Sequence, residues 1–215
     1  MAIQNILPDP NNKILRSGEQ SSSGVAGPGF ASVKLESEQS IMRDRTNSGR
    51  LISRRAAYHK WNLNITYNPM TRAQMDPVFN FLLEKQGSLR PFFVSLPQYR
   101  NQTTTNKTVT GSKNAGSSTL TTTSFTDGQV VPGEMFTVSD PSDSSHTKAY
   151  IVTRADASIN TISFTPALAK AVPNGASLNF SNPLVRVIQT SDIQQYSLNT
   201  ENLYTFSLKL EEANS

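Results

Sequence analysis

Residues 58–67 read YHKWNLNITY, and apolar and polar side chains alternate from Trp61 onward. Trp61, Leu63 and Ile65 share one face of an extended chain, while the residues between them are polar. A register shift of one residue would move the only tryptophan of the chain from the core into solvent. The stretch therefore predicts a strand of fixed register whose apolar face lies in a core.

A helix is predicted directly after this strand. The apolar residues of its stripe recur at i, i+3, i+4, i+7 and i+8, and they are Met75, Val78, Phe79, Leu82 and Leu83. Proline is tolerated in the first turn of a helix but not in its interior, so Pro77 predicts a helix over about 77–86 with Asp76 as N-cap. Thr71 and Gln74 resemble a capping box, which leaves an additional helical turn before Asp76 open.

A second alternating strand is predicted near the C-terminus. It runs from Leu203 to Leu210, with Phe206 and Leu208 on its apolar face. The C-terminal strands have no helix of their own, so we expect them to pack with the first strand and the helix. The predicted core residues are Trp61, Leu63, Ile65, Val78, Phe79, Leu82, Leu83, Phe206 and Leu208.

The composition changes between these two parts of the chain. Residues 104–180 are rich in Ser, Thr and Asn, and their short alternating segments are separated by turn signals such as Asn174-Gly175. This pattern predicts a small all-β barrel or sandwich module, inserted in a loop of a sheet-plus-helix domain that consists of 1–103 and 181–215. The predicted fold class is mainly β with one α-helix.

Positive charge is concentrated in the first half of the chain, most densely just before the strand at residues 58–67. Residues 1–103 carry 13 Lys/Arg and 7 Asp/Glu, whereas residues 181–215 carry 2 and 4. The densest basic stretch contains Arg43, Arg45, Arg50, Arg54 and Arg55, with Asp44 as the one acid among them. Such a stretch is typical of a patch for nucleic acid or an acidic partner, of a solvated loop, or of a protein–protein interface. It contains no aromatic residue before Tyr58, so a base-stacking platform is not indicated.

Catalytic and metal-binding patterns are weak. The chain has no cysteine, which excludes disulfides, thiolate metal sites and a cysteine nucleophile. His59, expected on the polar side of its strand, and His146, expected in a turn, show no triad pattern. Residues 140–146 offer oxygen ligands but lack the glycine and distal glutamate of a calcium loop, so a polar hairpin tip is favoured. We therefore expect no enzyme activity, no cofactor and no metal site.

Membrane insertion and secretion are not expected either. The sequence contains no run of 18 apolar residues, and its N-terminus lacks a basic region followed by an apolar segment.

Several of these segments together resemble one family. The run from Arg54 to Thr71 leads into Phe79–Gly87 and then into Arg90–Phe93. This order resembles the basic–aromatic strand, helix, glycine and phenylalanine-rich strand of distal tail proteins and related baseplate proteins of tailed bacteriophages. Relatives of that family also occur in gene transfer agents. Asn202–Leu208 is similar to the closing strand of these proteins.

This resemblance implies a tail-tube-like β-sandwich flanked by one helix. It implies a structural virion protein whose copies close into a ring, usually hexameric, which joins the tail tube to the hub and the receptor-binding parts. The implied partners are other copies of the chain and other tail, hub and baseplate proteins, while nucleic acid only passes through the lumen. The implied location is the tail or baseplate of a virion assembled in the cytoplasm of a host bacterium. In such a ring, Arg43–Arg55 is expected to be an extended arm that crosses to a neighbouring subunit.

Two other functions stay open. The module at 104–180 is also suited to binding a glycan or protein on the host surface, an idea that rests on analogy with other tail proteins. The basic stretch also fits a head–tail connector or another virion protein that contacts nucleic acid.

Overall fold

The protein is mainly β with one α-helix among its described residues. The computed structural model describes residues 5–14, 23–24, 26–141 and 143–213, and it leaves the side chains of residues 55–57 undescribed. The strands are β1 (Phe30–Arg45), β2 (Leu51–Tyr67), β3 (Phe92–Ser95), β4 (Lys107–Thr108), β5 (Thr119–Thr121), β6 (Met135–Ser139), β7 (Ala149–Asp156), β8 (Thr161–Thr165), β9 (Ser177–Asn179), β10 (Leu184–Gln189), β11 (Ser197–Leu198), β12 (Tyr204–Thr205) and β13 (Ser207–Glu212). The helix α1 spans Arg72–Lys85, and a short 3-10 helix spans Pro97–Tyr99.

The strands form two larger sheets and one small pair. One sheet has five strands in the order β1-β2-β13-β10-β3, and β1, β2, β13 and β10 pair antiparallel in turn. The other has six strands in the order β4-β9-β6-β7-β8-β5, again with antiparallel pairs. The strands β11 and β12 form a separate hairpin. The coarse prediction of a mainly β chain with one helix is confirmed.

The chain divides into two compact units. The first unit comprises residues 1–92 and 187–213, and the second comprises Phe93–Arg186. The second unit is therefore longer than the 104–180 module expected from composition. Gln102, which precedes the predicted module, belongs to this unit because its amide donates to the backbone carbonyls of Met135 and Phe180, both at 2.6 Å. A change in composition thus does not mark the packing boundary.

The core of the first unit is organised around the β2–β13 pair. Ile65 lies opposite Leu208, and Leu63 lies opposite Leu210. Trp61 and Phe206 belong to the same buried set. These residues lie on the alternating faces predicted from Tyr58–Tyr67 and Leu203–Leu210.

The buried stripe of α1 differs from the predicted one. Val78 and Leu82 are buried, but Phe81 is buried instead of Phe79, which is only half-buried. The prediction is wrong for Leu83, whose side chain is 48% exposed. The buried stripe includes Phe81 rather than Phe79 because the Phe81 ring packs edge-on against Phe92, with ring centroids 5.3 Å apart.

Asp76 is not the N-cap of α1, and the structure instead confirms the capping box at Thr71 and Gln74 that the sequence left open. The helix begins at Arg72 with Thr71 as N-cap, and the Thr71 backbone N–H donates to Gln74 Oε1 at 3.2 Å. Pro77 consequently lies inside the helix. An interior proline costs about 3 kcal/mol. Met75, which the earlier start adds to the helix, is buried, and burial of such a side chain contributes about 1.5–3 kcal/mol, which offsets much of that cost.

A tight approach fixes the loop after α1. Gly87 has φ +66°, and a Cβ built on it would lie 2.7 Å from Asp192 Oδ1 and 2.9 Å from Asp192 Cα. Asp192 Oδ1 also accepts hydrogen bonds from the Ser88 backbone N–H at 3.2 Å and from the Ser88 hydroxyl at 2.8 Å. Gly87 is therefore required both for its backbone conformation and for the space it leaves.

Substitution of Gly87 is expected to destabilise the first unit more than substitution of a glycine with free space. Gly87→Ala should lower the free energy of unfolding by about 2–3 kcal/mol, because backbone strain adds to the clash with Asp192. Gly49 is the matched control, since it has φ +83° and a Cβ added to it would meet no atom within 4 Å. Gly49→Ala should cost only about 1 kcal/mol. Equal losses in urea unfolding would contradict the importance of the Asp192 contact.

The core of the second unit is built around one aromatic ring. Phe136 contacts Tyr150, Phe164 and Phe180, with ring centroids 5.5, 5.5 and 5.2 Å apart. All four residues belong to one buried apolar cluster. The alternating burial along β6, β8 and β9 supplies the residues that surround this ring.

Candidate interaction surface on the β1–β2 arm

The hairpin formed by β1 and β2 extends beyond the sheet that holds its base. β13 pairs with β2 from Asn62 to Thr66, and among the described residues β1 is the neighbour of β2 before that point. Ser40–Tyr58 is therefore a two-stranded ribbon, which we call the arm. Its strands continue for six residues, Ser40–Arg45, to the turn, or about 20 Å at the usual rise per residue.

Two contacts mark the place where the sheet ends and the arm begins. The Glu212 carboxylate accepts a hydrogen bond from the Trp61 backbone N–H at 3.2 Å. The Lys60 ammonium lies 3.5 Å from the Glu211 carboxylate. The Glu212 side chain thus takes the place of a backbone acceptor where β13 stops, which satisfies a buried N–H that would otherwise be costly.

The arm has a defined register and a defined tip. Ile41 pairs with the backbone of Arg55, and the pairing continues to Arg45 opposite Leu51. The register shifts between Gln39 and Ile41, so a bulge lies at the base of the arm, where it adds a local bend. At the tip, the Thr46 backbone N–H donates to the Arg50 carbonyl at 3.0 Å. Gly49 supplies the left-handed residue that this turn needs.

Both faces of the arm combine aliphatic and cationic groups. Cross-strand neighbours share a face, so Met42 lies beside Arg54, and Arg45 lies beside Leu51. Met42 is 69% exposed, and Ile41, Leu51 and Ile52 are also exposed. The guanidinium groups of Arg43, Arg45, Arg50 and Arg54 belong to exposed residues as well. In the single chain, neither face of the arm is therefore part of a buried core.

The arm holds the net charge of the whole chain. Ser40–Tyr58 contains five arginines and one aspartate, a net charge of +4, and the complete chain has a formal net charge of +4. The remaining residues therefore carry equal numbers of basic and acidic side chains. The arm is therefore complementary in chemistry to a surface that is acidic as well as apolar.

The structure corrects one expectation for this segment. The basic stretch was expected to be a loop or an extended arm without periodicity, but Arg43, Arg45 and Arg54 lie in strands and Arg50 follows the turn. The side chain of Arg55 lies outside the described part. Sequence reasoning missed the exposed apolar residues of the arm, although Ile41-Met42 and Leu51-Ile52 flank the Asn47-Ser48-Gly49 turn signal symmetrically.

His59 lies in the core of the first unit, contrary to the expectation that it is on the polar side of its strand. It is buried, and its ring packs edge-on against Trp61 with centroids 4.6 Å apart. His59 Nε2 and the Ser37 hydroxyl form a hydrogen bond of 2.9 Å. Residues two apart on a strand share a face, so the position of His59 follows from that of Trp61.

In the acidic segment of residues 140–146, the Asp143 carboxylate is bound by neighbouring side chains of the protein. Asp143 accepts a hydrogen bond from the Ser145 hydroxyl and lies 3.6 Å from the Lys170 ammonium. The hydrogen bond from Ser145 is the main reason that the pKa of Asp143 is lowered. Within the described ranges, no three His, Cys, Asp or Glu side chains are grouped so that they could hold a metal ion.

His146 is buried beside this turn. Its side chain is 4% exposed, and Nε2 forms a hydrogen bond of 2.8 Å with the Tyr150 hydroxyl. Nδ1 is buried without a hydrogen-bond partner. Burial, and after it the positive charge of Lys170, lowers the pKa of His146. The neutral ring is thus the form that the folded second unit favours.

The stability of the second unit is expected to fall as pH falls below about 6.5, the ordinary pKa of histidine. The unfolded chain then binds a proton that folded His146 does not, so the free energy of unfolding decreases until pH reaches the lowered pKa. The loss is up to about 1.4 kcal/mol for each pH unit between the two pKa values. Urea unfolding of the wild type and of His146→Gln at pH 7.5 and pH 5.0 measures it. An equal pH dependence in both proteins would contradict this role of His146.

Two further findings concern membrane-spanning helices and similarity to known proteins. Among the described residues, no helix is both long and apolar enough to span a membrane. Neither a protein-family model nor a curated protein matches the chain.

Proposed function

We propose that this protein is a structural component of a bacteriophage tail or baseplate, whose copies assemble into a ring through the arm. In this proposal the first unit has a tail-tube-like β-sandwich fold, and the ring, hexameric as in related rings, joins the tail tube to the hub and receptor-binding proteins. Its place is the virion, after assembly in the bacterial cytoplasm. The resemblance of Arg54–Thr71 and of the segments after it supports this assignment.

The observation that carries the proposal is the isolated arm. A two-stranded ribbon is marginally stable in water unless its faces are packed against something. Here both faces expose aliphatic side chains, including Met42 and Ile52, beside arginines. Burial of such side chains contributes about 25 cal/mol for each Å² of apolar surface removed from water. The arm thus has the composition of an interface that a second protein completes.

The chemistry of the arm favours binding over catalysis. A guanidinium group stays charged at physiological pH and recognises carboxylates through paired hydrogen bonds, but it does not transfer protons. Arginine and exposed aliphatic residues are also frequent at the centre of protein interfaces. The proposal therefore assigns the chain an architectural role without a catalytic group or cofactor.

The two alternative functions receive less support. Duplex binding depends mainly on cationic groups at the phosphates, and an apolar side chain contributes only where it wedges between base steps, so aliphatic residues spread over both faces of the arm favour a protein partner. In the second unit, Ile159 is the one exposed large apolar residue among those described. A protein-binding patch on the host-surface module is therefore not favoured.

Charge reversal on the arm is expected to dissociate the assembly. Arg50→Glu with Arg54→Glu should convert the oligomer to monomer at micromolar concentration, because both arginines then repel the acidic partner surface. Light scattering coupled to size-exclusion chromatography measures the mass. The control is Arg72→Glu with Arg90→Glu, which changes the net charge equally at exposed positions outside the arm.

Three results decide between the functions. Retained assembly in the arm variant would contradict the proposal, as would a wild-type protein that stays monomeric. Tight binding of duplex DNA that weakens steeply with salt, together with a monomeric wild type, would instead favour the connector function.

A further inference from the structure

We propose that Asn174 is a site of spontaneous deamidation, which the folded second unit restrains through the pairing of its turn with residues 109–111. The modification converts a side-chain amide to a carboxylate, and water is its co-reactant. The inference concerns the second unit and does not depend on the ring proposed for the arm, so either can fail without the other.

The dipeptide Asn174-Gly175 is the one Asn-Gly pair among the 18 asparagines of the chain. Asparagine is a thermolabile residue, because the backbone nitrogen of the next residue can attack its side chain. Glycine hinders this attack least, since it has no Cβ. Both residues are exposed, and Gly175 has φ +88° in the turn before β9. The dipeptide that is chemically most prone to the reaction is thus in contact with water.

The reaction has a ring-closing step and a ring-opening step. The Gly175 backbone nitrogen forms a bond to Cγ of Asn174, while the bond from Cγ to Nδ2 breaks. The amide nitrogen leaves as ammonia, which takes up the proton that the Gly175 nitrogen loses. Water then opens the cyclic imide at either of its carbonyl carbons. One product is aspartate, and the other is isoaspartate, in which the main chain runs through the former side chain.

Both reacting groups are held by hydrogen bonds in the folded unit. The Gly175 N–H donates to the Val109 carbonyl at 2.9 Å, and Asn174 Oδ1 accepts a hydrogen bond from the Gly111 N–H at 2.8 Å. The attacking nitrogen must lose its proton, and the Asn174 side chain must turn its Cγ towards that nitrogen. Each requirement breaks one of these hydrogen bonds, so the folded turn opposes the reaction.

The turn is also anchored to the core on both sides. The Val109 N–H donates to the Ala176 carbonyl at 2.8 Å, and the backbones of Lys113 and Val172 exchange hydrogen bonds of 2.9 and 2.8 Å. The side chains of Val109, Val172 and Ala176 belong to the buried core cluster. Release of the turn therefore requires local opening of this edge of the unit. The reaction rate then follows the fraction of molecules that are open.

The two products differ in how well they fit the turn. Aspartate at position 174 keeps an oxygen for the Gly111 N–H, and its negative charge strengthens that hydrogen bond. Isoaspartate adds a carbon to the main chain directly before Gly175, which displaces the N–H that donates to Val109. Either product lowers the formal net charge of the chain from +4 by one, to +3. The isoaspartate form alone is therefore expected to loosen the edge formed by β4 and β9.

Incubation of the folded protein and of the protein unfolded in concentrated urea tests the proposal, at the same mildly alkaline pH and the same temperature. Peptide mapping by mass spectrometry follows every asparagine and separates aspartate from isoaspartate. In urea, Asn174 should be converted before the other asparagines. In the folded protein, its conversion should be at least about tenfold slower than in urea, because only the open fraction reacts.

A pair of variants separates the protection from the reactivity of the dipeptide itself. Val172→Ala removes buried volume beside the turn, so conversion of Asn174 in the folded protein should be at least about threefold faster, with no change in urea. Ile159→Ala is the matched control, because Ile159 is an exposed aliphatic residue of the same unit and its truncation should leave the rate unchanged. If Val172→Ala does not fold, urea concentrations below the unfolding transition of the wild type replace it as the means of opening the turn.

Each part of the inference has a result that overturns it. Equal rates of Asn174 conversion in the folded and the unfolded protein would show that the pairing with residues 109–111 does not restrain the reaction. Conversion of another asparagine before Asn174 in urea would overturn the assignment of the site. Neither result bears on the oligomeric state, so the proposed ring is tested separately.

Discussion

The register of β2 is the constraint on which the rest of the structure depends. One continuous strand passes from a buried environment, where Leu63 and Ile65 face Leu210 and Leu208 of β13, into a ribbon exposed on both faces. The core fixes the register, because a shift of one residue would place Trp61 in solvent. Since the strand is continuous, the fixed register of its base also sets the register of the arm beyond the bulge. The Glu212 carboxylate accepts a hydrogen bond from the Trp61 backbone N–H at the point where β2 leaves the buried sheet and continues into the exposed arm.

The alternating strands and the presence of the helix could be predicted from sequence because burial on one face leaves a period of two or of 3.6 residues. The helix face could not be fixed in the same way. Apolar residues at spacings of three and of four can form more than one stripe on the same helix. The contact of Phe81 with Phe92 determines that Phe81, and not Phe79 or Leu83, lies on the buried face. Of the two helix starts that the sequence leaves open, the structure has the earlier one at Thr71, because tertiary packing tolerates Pro77 inside the helix. The arm was identified by its charge, but its apolar residues were overlooked because single exposed aliphatic residues are common on any surface.

In the proposed assembly, the arm is the place where the first unit keeps exposed apolar groups that a monomer does not need. A ribbon with charge +4 and aliphatic residues on both faces is poorly packed by itself. Arginine at such a contact gives specificity and faster association, while the aliphatic residues supply most of the burial. This division of roles suits a ring whose subunits must add in one orientation. Asp192, beside Gly87, links the segment after β10 to the end of α1 through hydrogen bonds from Ser88.

Hydrogen exchange of the arm tests the central claim most directly. Backbone amides of Ser40–Tyr58 are compared by mass spectrometry in dilute and in concentrated wild-type protein, with Leu63–Tyr67 in the same strand as an internal reference. The account predicts that the arm amides exchange quickly in the dilute monomer and at least about tenfold more slowly on assembly, because a second copy covers a ribbon of low local stability. The reference amides should change little. Exchange of the arm that is equally fast in the assembled protein would contradict the claim that the arm is the interface.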